Sequence, residues 1–345
     1  MKQPPNHSTD LEPPTMTDPR PEKIASPAES AHHDRRESSA RIEQSQWRRP
    51  AGVAPGTWRY VQQGSIANHY DAFVAETPLC ALDQTILRQL FESIDSGQQP
   101  VESTEGEATR TGQKVFSDRD NWVLDLGCGT GRAATELSRL GRNVLAIDLS
   151  QSMLNHVVER SKRSQVESTS QRTGSIVPLR ANLVQLDCLA DNSAAGAVCL
   201  FSTLGMIQGR ENRRQVLRHA SRIVRPGGKL LLHVHNRYAS LAQSGGKRLL
   251  AKSLLKSIIS RDHDFGDATY AYRGLPDMFL HRYSKRKLAA DLQTTGWQNN
   301  RINRLTLDGS ATLDGILANR VKIAGGYIVE ASSGSQSKTF VEAIC

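Results

Sequence analysis

Carboxylates and glycines cluster near the middle of this chain in a pattern suited to holding a small ionic ligand. Asp125 stands two residues before Gly127, and Gly129 and Gly131 follow at every second position with Cys128 between. Glycine lacks a Cβ and tolerates positive φ, so such a loop lets a ligand approach the backbone closely. A second carboxylate, Asp148, lies about 20 residues beyond the first glycine, where a nucleotide-binding βαβ unit places the acid that accepts hydrogen bonds from ribose hydroxyls. The glycine spacing is G-x-G-x-G rather than the dinucleotide G-x-G-x-x-G. A carboxylate at position 125 would repel a pyrophosphate and suits a ligand that carries an ammonium group.

These residues need elements to position them. Val123-Leu124-Asp125-Leu126 alternates as a buried strand does, and Arg132 to Leu140 carries Ala133, Ala134, Leu137 and Leu140 on one helical face before Gly141 stops it. Asn143 to Asp148 reads as a second apolar strand. Strand, glycine loop, helix, strand and terminal acid together resemble the class I S-adenosylmethionine-dependent methyltransferases. Asp125 to Gly131 is similar to their first motif and Asp148 to the acid of their second. The resemblance runs from about Tyr70 to Ala331 and is strongest from Trp122 to Asn236.

The resemblance implies a cofactor, S-adenosyl-L-methionine, held by Asp125, Gly127, Cys128, Gly129, Asp148, Leu149 and Met153. It also implies an adenine contact at Asn182 and Leu183, where the family often has an acid; Asp187 is the rival position. Phe201 is expected beside the donor, and Tyr70 reads either as a donor contact or as a packing tyrosine. Phe201-Ser202-Thr203-Leu204 replaces the polar-Pro-Pro-aromatic motif of adenine- and glutamine-methylating branches. Arg225-Pro226-Gly227-Gly228-Lys229 and the strand behind it also look like the family. That strand carries His233 and His235 on one face. His235 reads either as a base or as a structural histidine, and His281 as a pocket residue; both are taken as catalytic candidates.

The remaining chain bounds the organisation. It has 345 residues with 38% hydrophobic, so a sizeable core is possible, and no apolar run approaches a membrane span. The N-terminus lacks the apolar core of a signal peptide. Five scattered cysteines show no metal spacing and read as reduced core thiols of a cytoplasmic protein. Residues 1–55 are rich in Pro, Ser and charge, with eight basic and eight acidic residues, the composition of a disordered tail. A methyltransferase domain is expected over 56–335. It divides into a helical cap at about 58–93, a polar linker at 94–119, a core at 121–236, a substrate-side insertion at 237–284 and a C-terminal helix and hairpin at 285–331.

The alternation of strands and helices predicts an α/β fold, a doubly wound, Rossmann-like, mostly parallel seven-stranded sheet with an antiparallel last strand. The resemblance implies the order 3-2-1-4-5-7-6. Within the insertion, Lys247 to Ser260 has the pattern of a basic amphipathic helix, with Leu249, Leu250, Leu254, Leu255 and Ile258 on one side. Residues 210–291 hold 18 Lys and Arg against 6 Asp and Glu, while the whole chain has net charge +9. The basicity is therefore local, either a solvated face or a surface for an anionic partner such as RNA. The expected activity is methyl transfer to a nucleophilic O, N or C of a small metabolite. The alternatives are RNA methylation and a non-catalytic donor-binding scaffold. A small-molecule acceptor and no membrane partner are expected.

Overall fold

A computed structural model describes residues 49–64, 67–68, 70–71, 77–96, 121–167, 173–272, 274–313 and 323–334. The expected tail over residues 1–48, and all of the polar linker beyond Ser96, lie outside them.

Seven strands form one sheet: β1 (Trp122–Leu126), β2 (Asn143–Asp148), β3 (Ile176–Arg180), β4 (Ala194–Cys199), β5 (Val224–His235), β8 (Trp297–Arg304) and β9 (Gly326–Ser333). Their order is β3-β2-β1-β4-β5-β9-β8. The first five are mutually parallel, and β9 runs antiparallel to both β5 and β8. Counting only strands of this sheet, that is the order 3-2-1-4-5-7-6. Two further strands, β6 (Asp267–Tyr272) and β7 (Leu275–His281), make a separate antiparallel hairpin.

Helices cover both faces because the central strands are apolar on both sides. Leu124 and Leu126 of β1, with Leu230, Leu232 and Val234 of β5, face α6 (Arg210–Ile223) and α8 (Lys285–Thr294), where Leu217, Ile223, Leu288 and Leu292 meet them. Val123, Val198 and Leu231 point the other way, onto α2 (Pro78–Ser96), α3 (Arg132–Arg139) and α4 (Gln151–Glu167) through Leu87, Phe91, Leu137 and Val157. Pro178, which has no N–H to donate, sits in the edge strand β3, where a missing donor costs least.

Three local results add to the sequence reading. The domain takes in the residues just before 55: Val53 bridges to Ile207, and the Asn182 side chain donates to the Ala51 carbonyl at 3.0 Å, ahead of α1 (Pro55–Gln62). The second Rossmann helix, α4, continues to Glu167. The Arg225–Lys229 segment is the irregular start of β5, with Gly227 at φ 79°.

The insertion after β5 opens with a 3-10 helix (Arg237–Ala242), capped by the Asn236 side chain, which accepts from Tyr238 N. It continues into α7 (Gly246–Ile259) and then the β6–β7 hairpin. The expected helix is present, but of its apolar residues only Leu250 is partly covered. Leu255, Ile258 and Ile259 are 59%, 75% and 76% exposed.

Candidate functional site: two joined cavities at the carboxyl ends of the strands

The glycine loop leaves β1 and enters α3. Gly127, Gly129 and Gly131 all have positive φ. At Gly127 even the space is taken, because a Cβ there would lie 2.2 Å from a Thr203 methyl. The loop is tied from two directions. Asp148 Oδ2 accepts from Gly129 N at 3.0 Å while its Oδ1 accepts from Ser150 N at 2.8 Å. Thr130 donates its hydroxyl to Asp71, which also pairs with Arg160. Tyr70 is thereby held next to the loop, its ring 3.5 Å from where a Gly129 Cβ would stand.

A cavity of about 110 Å³ lies along this loop, and Gly127, Gly129, Asp148, Leu149, Met153, Asn182, Leu183 and Tyr70 all line it. Burial raises the Asp148 carboxyl, opposed by the amides of Ser150 and Gly129. Asn182 is engaged at both ends of its amide, since its Oδ1 also accepts from Val184 N at 3.2 Å. Asp187 lies away from the cavity, its side chain 84% exposed near His219.

Three of the expected donor contacts, Asp125, Cys128 and Phe201, are not part of this wall. Asp125 is buried, and its Oδ2 accepts from Ala134 N at 3.0 Å. It braces the first turn of α3 from behind the loop, where the helix N-terminus offers free amides. Burial pushes its carboxyl up to about 7, with Arg132 opposing. Cys128 is buried too, its Sγ 3.6 Å from the Gly129 carbonyl, and burial raises its thiol. The reason is register: Asp125 and Cys128 turn toward α3, and the glycines present bare backbone to the cavity.

A second cavity of about 390 Å³ adjoins the first, and the two share Tyr60, Tyr70 and Met206. Its wall includes Phe201, His233, His235, Tyr270, Tyr272 and Met278, with Gly326, the first residue of the last strand, and Gly325 just before it. Gly326 pairs with His235 across the sheet, and a Cβ on it would meet His233 Nε2 at 3.0 Å. Phe201 therefore borders this cavity rather than the loop cavity. It and Ser202 both hold positive φ, at 55° and 62°, a strained turn of the kind found at working sites. Ser202 Oγ accepts from His235 N at 3.4 Å, and the His235 carbonyl accepts from Tyr283 N at 2.8 Å.

Burial, then the positive Arg282, lowers His235 to about 4, so its imidazole is uncharged at neutral pH. His233, ring centroid 5.3 Å from that of His235, is lowered further by full burial.

His281 requires correction as a pocket residue. It has no exposed surface and its Nδ1 is bonded to Asp267. Asp267 and Asp264 face Arg213, itself fully buried, and Lys287 pairs with Asp264 at 3.3 Å. His281 thus belongs to a buried ion cluster between α6, α8 and the hairpin. Asp264, Asp267 and His281 also lie close enough for a cation, but Arg213 and Lys287 already supply the positive charge.

Tyr60, Met206, Tyr270 and Tyr272 were not singled out in the sequence. Tyr270 and Tyr272 carried a usable signal, a period of two within a strand. Tyr60 and Met206 carried none, because long-range folding alone brings them to the cavity.

The basic surplus divides. Arg210 and Arg214 share the buried Asp291, Arg213 takes Asp264, Arg218 takes Glu211 and Arg222 takes Asp191. The lysines and arginine of α7 form no ion pair among the described residues.

Residues 124–232 match the profile of a family described as a methyltransferase domain. The sheet order and the glycine loop above agree with that match over this core. An O-methyltransferase of Aspergillus nomiae is 32% identical over 131 residues, which is 38% of this chain and 53% of that protein. A ubiquinone biosynthesis O-methyltransferase of Xanthomonas oryzae pv. oryzae is 31% identical over 115 residues, 33% of this chain and 43% of that protein. The chain thus spans about half the length of the curated relatives it matches. Among solved structures, a methyltransferase of Methanosarcina mazei has a TM-score of 0.49 at 16% identity, covering 63% of this chain and 93% of that one. The 1,6-didemethyltoxoflavin-N1-methyltransferase of Burkholderia thailandensis has a TM-score of 0.47 at 16% identity, covering 83% and 92%.

The loop cavity fits the donor on its own chemistry. Asp148 offers carboxylate oxygen to a diol, the bare glycine backbone leaves room for a charged tail, and Leu149, Met153 and Leu183 give apolar walls for a flat base. Among the described residues no helix is long and apolar enough to cross a membrane.

Proposed function

We propose that the protein is an S-adenosylmethionine-dependent methyltransferase acting on the hydroxyl of a small aromatic or quinol-like acceptor. The observation that carries this reading is the junction of the two cavities. Asp148 stands in one, His235 in the other, and Tyr60, Tyr70 and Met206 belong to both.

Bound in the first cavity, S-adenosylmethionine supplies a methyl group activated by its positive sulfur, which departs as a thioether. The chain's own residues do the rest. Asp148 and the glycine loop hold the donor. Tyr60, Tyr70, Phe201 and Tyr272 give the second cavity flat apolar walls that suit an aromatic ring. Held there, an acceptor oxygen is brought into line with the methyl group, and water is kept from the reacting centre.

A phenol or enol is protonated at neutral pH, so its oxygen needs a base as it attacks. The neutral imidazole of His235 takes that proton. Ser202 and Tyr283 fix the backbone that carries it. The relatives described as O-methyltransferases are consistent with an oxygen acceptor.

The test is labelled-methyl transfer from S-adenosylmethionine to a panel of catechols, phenols, quinols and amines. Transfer to hydroxyl acceptors, lost in His235→Gln while donor affinity persists, is expected. Preferential methylation of amines, with His235→Gln fully active, would overturn the oxygen assignment.

A further inference from the structure

The helix α7 leaves its greasiest surface in water. Leu254, Leu255, Ile258 and Ile259 lie on the arc facing away from the body, and are 46%, 59%, 75% and 76% exposed. Leu250, Ser253 and Ser257, which face the body, are partly covered. Soluble helices bury such a stripe, and a contiguous exposed apolar patch marks an interaction surface.

Charge shows what the surface meets. The helix holds Lys247, Arg248, Lys252 and Lys256 and no acidic residue. These cations lie beside the apolar arc, in contrast to the paired arginines of α6. Behind the helix is a cavity of about 550 Å³ whose wall holds four cations, Arg237, Lys252, Lys256 and Arg282, against two carboxylates, Asp262 and Asp267. Arg237 is nine-tenths buried, its guanidinium 4.2 Å from the Phe265 ring centre. Its Nε and Nη2 find no hydrogen-bond partner among the described residues. An apolar face, flanking cations and a cationic recess behind them match the layers of an anionic bilayer: acyl chains, then phosphate. Nucleic acid would not reward four large aliphatic side chains held in water, and α7 carries no aromatic ring for a base to stack on.

We propose that α7 docks the protein reversibly on an anionic lipid bilayer, its Leu254–Ile259 arc entering the interface and its lysines and the recess behind them meeting lipid phosphates. This departs from the sequence-based expectation of no membrane partner, because a helix lying in the interface needs no spanning segment. Tyr270 lines both this recess and the acceptor cavity, so docking sets the acceptor cavity close to the lipid surface.

The experiment is flotation of the full chain with vesicles of phosphatidylcholine alone or doped with phosphatidylglycerol, at low and high salt. It reads binding and needs no methyl transfer. The expected result is co-flotation with the anionic vesicles only, weakened by salt. Lys252→Glu/Lys256→Glu and Leu255→Ser/Ile259→Ser should each lower partitioning by about tenfold or more, with melting temperatures unchanged because all four sites are exposed. No flotation of the wild type, or equal flotation of either double variant, would overturn the proposal. So would bulk RNA binding that depends on the same lysines without vesicle binding. A concentration-dependent dimer dissolved by Leu255→Ser/Ile259→Ser would instead assign the face to a second copy and also overturn it.

Discussion

Gly129 N donates to Asp148 Oδ2 at 3.0 Å, and that one bond joins the loop after β1 to the end of β2. The carboxylate is fixed before any ligand arrives, because Ser150 N holds its other oxygen. A preorganised acceptor loses little freedom on binding. Asp148→Ala is expected to weaken S-adenosylmethionine binding by roughly ten- to hundredfold, measured by calorimetric titration. Unchanged affinity would remove Asp148 from the donor site.

His235 is assigned the proton. His235→Gln should lower kcat by about a hundredfold or more while donor affinity stays the same. The wild-type rate should hold down to about pH 5 and fall below it, since His235 protonates near 4. A rate that keeps its full value in His235→Gln would return the residue to a packing role.

Gly127 is required by two separate constraints, its φ of 74° and the Thr203 side chain that a Cβ would strike. Gly127→Ala should therefore lose donor binding and melt early. Thr203→Ala added to it should restore part of the stability but not all, because the backbone strain remains. Full rescue, or none, would show that one constraint acts alone.

Arg213 has no exposed surface and balances Asp264 and Asp267. Removing one partner of a buried ionic group leaves uncompensated charge, so Arg213→Met should cost about 3–5 kcal/mol, read from the urea midpoint. A loss under about 1 kcal/mol would mean that water reaches the cluster.

Stability should depend on pH through two opposing sets. Burial holds His235 and His281 at about 4 against an ordinary 6.5, so between those values the unfolded chain binds protons that the folded chain refuses. Stability therefore falls as pH drops through that window. Asp125 is held at about 7 against 3.8, so the folded chain binds the extra proton there and stability falls as pH rises. Asp125→Asn should flatten the decline in melting temperature between pH 5 and 8. An identical slope in both proteins would show that Asp125 is ionised across that range.

What the sequence disclosed was local. The glycine loop, β1, β2 and Asp148 are contiguous within Trp122–Asp148, and alternation with glycine spacing encodes them directly. The acceptor cavity was mostly hidden, because Tyr60 of α1, Met206 after β4 and Tyr272 of the hairpin are far apart in the chain. His281 was misplaced for a related reason: nothing adjacent to it reveals that Asp267 and Arg213 enclose it. The domain start was set too late because the Ala51–Asn182 bond spans 131 residues. The Lys247–Ser260 helix was legible, but the exposure of its apolar side is a property of the tertiary fold.

The notch at Gly326 has one more consequence. It faces the two strand histidines from β9, at the far end of the chain from the donor loop, and its missing side chain leaves open part of the acceptor cavity. A single methyl or larger group there would resize that cavity without touching Asp148 or the glycines. Divergence at this position offers descendants of the protein a new substrate range while their cofactor machinery is inherited intact.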